Sequence, residues 1–111
     1  MMLDRAYLLH IRDAVDQLLA YRKEGKEKCL TDRRTREAVI RNLEVLGEAV
    51  KNLSAEIKSR YPHVPWRQIS GMRDKLIHQY FGVDLGFVWD ALENRLDSLS
   101  ETVDTMLKEP D

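Results

Sequence analysis

The amino-acid sequence predicts an all-α protein, organised as a four-helix up-and-down bundle in one domain that spans residues 1–111. Its composition favours helix, because Ala, Leu, Glu, Lys and Arg dominate and only five glycines and three prolines interrupt them. Apolar residues recur at spacings of three and four in long segments, and no segment shows the alternation of a strand. A chain of this length buries roughly 65% of its unfolded surface, so it can form a hydrophobic core without disulfides.

The first two predicted helices are separated by a polar segment. The first spans residues 3–21, and the polar stretch over residues 22–30, which contains Gly25, predicts a loop. Thr31 or Asp32 is a suitable N-cap for a second, long helix over residues 32–59. The apolar stripes are Leu8, Ile11, Val15 and Leu18 in the first helix, and Val39, Leu43, Leu46, Val50, Leu53 and Ile57 in the second.

Two prolines, Pro62 and Pro65, end the second helix, and Pro65 suits the first turn of a third helix over residues 65–80. Asp84 is a candidate N-cap for the fourth helix, because an apolar seam at spacings of three and four follows it. The members of this seam are Val88, Leu92, Leu96, Leu99, Val103 and Met106.

The charges are balanced overall, with 18 basic and 19 acidic residues and a net charge of −1. The balance and the 43% hydrophobic content exclude a disordered chain and a protein that coats nucleic acid through bulk charge. Locally, residues 22–41 carry a net charge of +4 and residues 84–111 a net charge of −6. Composition alone favours solvated helix surfaces as the interpretation of both stretches.

The sequence lacks the residues that several kinds of structural and catalytic site require. A single cysteine, Cys29, excludes a disulfide framework and a cysteine-built zinc site, and it favours a reduced, cytoplasmic setting. There is no glycine-rich phosphate loop, no nucleophilic serine elbow and no Glu-x-x-His pair for a di-iron site. Charged residues interrupt the first apolar stretch, so we expect neither a signal peptide nor a membrane span. The sequence thus predicts no metal and no cofactor.

The third helix places an arginine among apolar residues. On a helical wheel at about 100° per residue, Arg73 lies between Ile69 and Leu76 on one side and Ile77 on the other. A guanidinium in an apolar arc must be paired, lie at an interface or line a cavity. The alternative is an arginine at the rim of the core that extends its head group to water.

Asp74 and His78 are four residues apart and can meet on the surface of this helix. A carboxylate beside an imidazole orients the ring and favours its protonated form. An ordinary histidine at a helix end, which interacts favourably with the helix dipole, is the structural alternative.

The segment from Arg73 to Tyr80 has the form R-x4-H-x-Y and resembles the signature of the HepT-like branch of the HEPN superfamily, also called DUF86. Beside the motif, the run from Trp66 to Asp74, Gly47-Glu48-Ala49 within the long second helix and the acidic last helix also resemble this family. The resemblance extends over the whole chain and implies a HEPN-like helical fold.

The resemblance implies a homodimeric, metal-independent ribonuclease that is the toxin of a type VII-like toxin–antitoxin pair. Arg73 and His78 correspond to the catalytic pair, at a composite site between the two subunits, and Asp74 is a supporting residue. The implied partner is an MntA-like nucleotidyltransferase antitoxin, which transfers AMP to the motif tyrosine, here Tyr80.

The basic stretch offers candidate RNA-binding residues, namely Arg33, Arg34, Arg36 and Arg41, if the fold brings them to the side of the cleft. The alternative to a nuclease is a protein of a different functional class, namely a non-catalytic helical subunit that binds and regulates a minimal nucleotidyltransferase.

Overall fold

The structure is a computed structural model that describes residues 2–78 and 84–109. Within these ranges the chain is helical and contains no strand, which confirms the all-α prediction. The seven helices of these ranges are α1 (Met2–Lys23), α2 (Lys26–Thr31), α3 (Arg33–Lys51), α4 (Ala55–Ser59), α5 (Trp66–His78), α6 (Leu85–Asn94) and α7 (Leu96–Lys108).

The segment between α1 and α3 corrects the loop predicted over residues 22–30. Gly25 adopts a φ of 101°, a left-handed conformation that suits glycine, and the short helix α2 begins directly after it. Cys29 of α2 is fully buried, so this turn of helix contributes to the core. Asp32 is the N-cap of α3, as predicted, since its side chain accepts a hydrogen bond from the Thr35 backbone N–H at 3.1 Å.

The single helix predicted over residues 32–59 is wrong, because the chain leaves the helix after Lys51 and begins α4 at Ala55. Ser54 caps α4 and is itself held by Asp4 of α1, which is almost completely buried. The two Asp4 oxygens accept from the Ser54 backbone N–H at 2.8 Å and from its hydroxyl at 2.7 Å. A polar contact between residues fifty positions apart therefore fixes this break.

The last predicted helix is also divided. Asp84 caps α6 by accepting from the Phe87 backbone N–H at 3.2 Å, as the sequence predicts. The helix ends at Asn94, and α7 starts at Leu96 after Arg95. Leu92 and Leu96 are fully buried on either side of the break, so the apolar seam continues through it.

The helices enclose one apolar core, to which all the long helices contribute. Helix α3 packs against both α5 and α1, and α1 packs against α7. The up-and-down arrangement of four helices stays a prediction, since two of the predicted helices are each divided into two. Among the helices of the described ranges, none is both long and apolar enough to cross a membrane.

Candidate functional site

Helices α3 and α5 approach closely at Gly47. A Cβ atom at this position would lie 3.1 Å from the Arg73 Cβ, 3.2 Å from the Arg73 backbone nitrogen and 3.2 Å from the Ile69 carbonyl oxygen. These distances leave no room for a side chain without movement of α5. The missing side chain of Gly47 therefore brings the backbone of α5 against α3 at the position of Arg73.

Arg73 is paired with two carboxylates at this crossing. Its Nε lies 3.1 Å from an oxygen of Glu48 on α3, and one terminal nitrogen lies 3.6 Å from an oxygen of Asp74. The Arg73 side chain is 36% exposed, whereas Ile69, Met72 and Leu76 beside it are buried. The arginine thus lies in the apolar arc of α5, as the helical wheel predicts, and a neighbouring helix supplies its main partner.

Arg73 lines an open groove of about 510 Å³ between α1, α3 and α5. The lining combines positively charged, negatively charged and aromatic residues with two apolar ones. It consists of Tyr7, His10, Arg41, Glu44, Val45, Glu48, Ala49 and Arg73. The charged residues of the lining are two arginines and two glutamates, so the groove has no net charge, and an anionic ligand would bind at the two guanidinium groups.

The four arginines of α3 do not share one environment. Arg41 lines the groove with Arg73, and Arg34 lies seven residues earlier on the same stripe of α3. Arg33 pairs with Glu37 at 3.1 Å, and Arg36 donates to the Leu30 carbonyl at 3.3 Å. The geometry thus associates Arg41 most closely with the groove.

The remaining motif residues fall at the end of the described segment. Helix α5 ends at His78, whose side chain lies outside the described part of the chain, and Tyr80 lies outside it altogether. The contact predicted between Asp74 and His78 therefore stays a prediction. Asp74 itself is 63% exposed, and the partner that the structure shows for it is Arg73.

Sequence reasoning did not assign four polar residues of this groove, which are Tyr7, His10, Glu44 and Glu48. Tyr7 and His10 are on α1, and only the packing of α1 on α3 brings them near Arg73. Glu48 belongs to the Gly47-Glu48-Ala49 run, which the sequence singled out without a role. In the described ranges, no group of three or more His, Cys, Asp or Glu residues could hold a metal ion.

Comparison with known proteins points to one family. Residues 11–106 match the family described as "Ribonuclease HepT-like". A protein of Thermococcus cleftensis named "Probable ribonuclease HepT" is 40% identical over 103 residues, covering 92% of this chain and 94% of the relative. A "Putative RNase" of Caldanaerobacter subterraneus is 39% identical over 105 residues, with 94% of both chains covered.

A longer relative from Methanocaldococcus jannaschii is 38% identical over 108 residues. Its name is "Gamma-glutamylcyclotransferase and putative RNase", and the match covers 96% of this chain but 49% of that protein. The present chain therefore spans about half of this two-function relative. No solved structure gives a significant match.

Proposed function

Because this chain belongs to the ribonuclease HepT-like family, we propose that it is a metal-independent RNA endonuclease in which Arg73 and His78 are the catalytic pair. The observation that supports this most directly is the placement of Arg73 at the α3–α5 crossing, in a groove that also contains Arg41. A pair of guanidinium groups in a groove matches the phosphate backbone of RNA.

The proposed reaction uses the 2′-hydroxyl of RNA as the nucleophile. One imidazole removes the 2′-hydroxyl proton, and the 2′-oxygen attacks the adjacent phosphorus. The bond from phosphorus to the 5′-oxygen breaks as an acid donates a proton to that oxygen. The products are a 2′,3′-cyclic phosphate and a 5′-hydroxyl. His78 is suited to proton transfer near neutral pH, and the Arg73 guanidinium stabilises the extra negative charge on the phosphorane.

The proposed site is composite and is formed by two copies of α5 in a homodimer. Arg73 and His78 are five residues apart, which separates them by about 140° around a straight helix. A two-fold axis beside α5 would place the Arg73 of one subunit near the His78 of the other.

The test is cleavage of single-stranded RNA by the purified protein in EDTA. We expect Arg73→Ala and His78→Ala each to lower the rate by at least about a thousandfold, with helical content and oligomeric state unchanged. Arg67→Ala is the matched control, because Arg67 is an exposed arginine on the same helix. If the wild-type protein cuts no RNA and still binds a nucleotidyltransferase, the non-catalytic regulatory subunit becomes the better description.

For regulation, the proposed partner is an MntA-like nucleotidyltransferase antitoxin, with Tyr80 as the residue that receives AMP. Attack of the Tyr80 oxygen on the α-phosphorus of ATP would form a phosphodiester and release pyrophosphate. The new phosphate is anionic and two residues from His78, so it would compete with RNA for the cations of the site. In the same assay, incubation with the partner and ATP should add the mass of one or more AMP units and abolish cleavage, and Tyr80→Phe should prevent both.

A further inference from the structure

We propose that Glu48 is a positioning residue, which holds the Arg73 guanidinium in the orientation that receives the RNA phosphate. The inference rests on the proposed ribonuclease function and extends it to a residue on a different helix. Glu48 lines the same groove as Arg73, and the two side chains form an ion pair across the α3–α5 crossing.

The position of the ion pair on the guanidinium matters for this role. Glu48 approaches Nε, at 3.1 Å, and Nε is the nitrogen that joins the guanidinium to the side-chain stem. The guanidinium is planar and rigid, with five N–H bonds in fixed directions. A carboxylate held beside Nε therefore restricts the directions of the four N–H bonds on the two terminal nitrogens, which are the ones that can bind a phosphate end-on.

The backbone supports the same arrangement. Gly47 allows α5 to approach α3 so closely that Arg73 and Glu48 meet, and Glu48 follows Gly47 directly in sequence. Ile69 and Met72, which precede Arg73 on α5, are buried, so the backbone that carries Arg73 is held against the core. What remains free is rotation near the head group, and the ion pair with Glu48 restricts this rotation.

Two simpler roles compete with positioning. Glu48 is 50% exposed, so the pair can be an ordinary surface ion pair that contributes little to stability and nothing to activity. Glu48 can also act as a brake, in which case its carboxylate competes with the RNA phosphate for Arg73. The three roles predict different signs for the effect of removing the side chain on activity.

Three variants separate these roles. Glu48→Ala removes the partner of Arg73, whereas Glu48→Gln keeps a side-chain oxygen with the same reach. Glu56→Ala is the matched control, since Glu56 is an exposed glutamate that forms an ion pair with Arg60 at 3.2 Å and does not line the groove. Each variant is first checked for unchanged helical content and oligomeric state.

With single-stranded RNA as the substrate, we expect Glu48→Ala to lower kcat by roughly 10- to 100-fold with KM within about twofold, because a misdirected cation costs transition-state stabilisation. We expect Glu48→Gln to keep kcat within about threefold of wild type, since the oxygen near Nε is retained. Glu56→Ala should match the wild type.

A rise in kcat/KM in Glu48→Ala overturns the proposal in favour of a brake. Equal activity of Glu48→Ala and Glu56→Ala, or equal loss in both Glu48 variants, also overturns it.

A second measurement keeps the inference separate from the ribonuclease proposal. The Nε–H signal of Arg73 in a nitrogen–proton NMR spectrum, assigned by its absence in Arg73→Lys, reports the order of the guanidinium directly. We expect this signal to broaden or shift in Glu48→Ala and to stay near its wild-type position in Glu48→Gln. If the wild-type protein cuts no RNA, the function proposal fails alone, and an unchanged signal in Glu48→Ala would refute the orienting role itself.

Discussion

At the scale of single residues, the pair between Arg22 of α1 and Asp97 of α7 makes stability depend on pH. Two nitrogens of Arg22 donate to the two Asp97 oxygens, at 2.9 and 3.0 Å. These hydrogen bonds hold the pKa of Asp97 below its ordinary value. A carboxyl group with a lowered pKa stabilises the fold above its unfolded pKa of about 3.9, and the contribution disappears as the pH falls through the lower, folded value.

We therefore expect Asp97→Asn to lower the free energy of unfolding at pH 7, by up to about 1 kcal/mol because Asp97 is exposed. The difference from wild type should shrink as the pH falls below about 4 and vanish below the lowered, folded pKa of Asp97. Urea unfolding at a series of pH values measures this. Glu101→Gln removes the same charge from the same helix, and its side chain forms no ion pair within the described residues. If Asp97→Asn remains less stable than the wild type at low pH, the loss of stability comes from the changed side chain and not from the charge pair.

The site shows how far single residues could be predicted. Arg73 was recognisable as a candidate because it is a charged residue on the apolar side of the helical wheel. In the structure its neighbours on α5, Ile69, Met72 and Leu76, are buried. Its partner Glu48 was not predictable from the pattern, since the two are 25 residues apart and meet only where α3 and α5 cross. His78 and Tyr80 were identified by a local motif, and their assignments stay predictions.

At the scale of helices, the α3–α5 crossing predicts opposite effects for two glycine substitutions. Alanine is the better helix former by about 1 kcal/mol, so a Gly→Ala change in a helix stabilises unless the methyl group has no space. Among the described residues, nothing lies within 4 Å of a new Cβ at Gly71 of α5, whereas a new Cβ at Gly47 of α3 meets the backbone of α5 at 3.2 Å.

We expect Gly71→Ala to raise the free energy of unfolding by roughly 0.5–1 kcal/mol. Gly47→Ala should lower it by about 1–2 kcal/mol, because overpacking against a neighbouring helix outweighs the gain in helix propensity. It should also reduce RNA cleavage, since a shifted α5 moves Arg73. Thermal unfolding of both variants at the same protein concentration provides the measurement. Stabilisation by Gly47→Ala would mean that α5 yields easily, and would remove the steric basis of the crossing.

Some helix boundaries depend on residues nearby in the sequence, and others depend on contacts with another helix. Asp32 and Asp84 were predictable as N-caps because a capping side chain binds a backbone N–H three residues away. The break before α4 was not predictable, since the Ser54 backbone and hydroxyl depend on Asp4 of another helix. The break between α6 and α7 was hidden for a different reason. The buried leucines continue with unchanged spacing through Arg95, so periodicity gives no sign of it.

For the whole molecule, the fold accounts for part of the uneven charge distribution through ion pairs between helices. The acidic stretch at the C-terminal end is partly neutralised inside the chain, because Asp97 and Asp104 pair with Arg22 and Arg12 of α1. Arg12 also donates to the Ser100 carbonyl and hydroxyl, so it fastens α1 to α7. Part of the −6 charge is therefore neutralised by arginines of α1, while Arg41 remains in the groove with Arg73. Near-zero net charge is compatible with a protein that engages RNA at one groove.

The composite site can be tested with dimers in which the two subunits differ. Two differently tagged subunits, one carrying Arg73→Ala and the other His78→Ala, are produced together and purified through both tags. If each site takes Arg73 from one subunit and His78 from the other, this mixed dimer has one complete site and one that lacks both residues. We expect it to regain about half of the wild-type cleavage rate, although both parent homodimers are inactive.

The reciprocal dimer makes the opposite prediction and serves as the control. A wild-type subunit paired with one that carries both substitutions has no complete site if the two residues come from different subunits, so we expect no cleavage. If Arg73 and His78 of the same subunit act together, this second dimer keeps about half of the activity and the first dimer has none. Because the two dimers contain the same substitutions in total, their net charge is the same, and equal helical content of the two dimers would exclude a difference in folding. Activity in the first dimer alone would place the proposed catalytic groups on opposite sides of the two-fold axis, whereas activity in the second alone would refute the composite site.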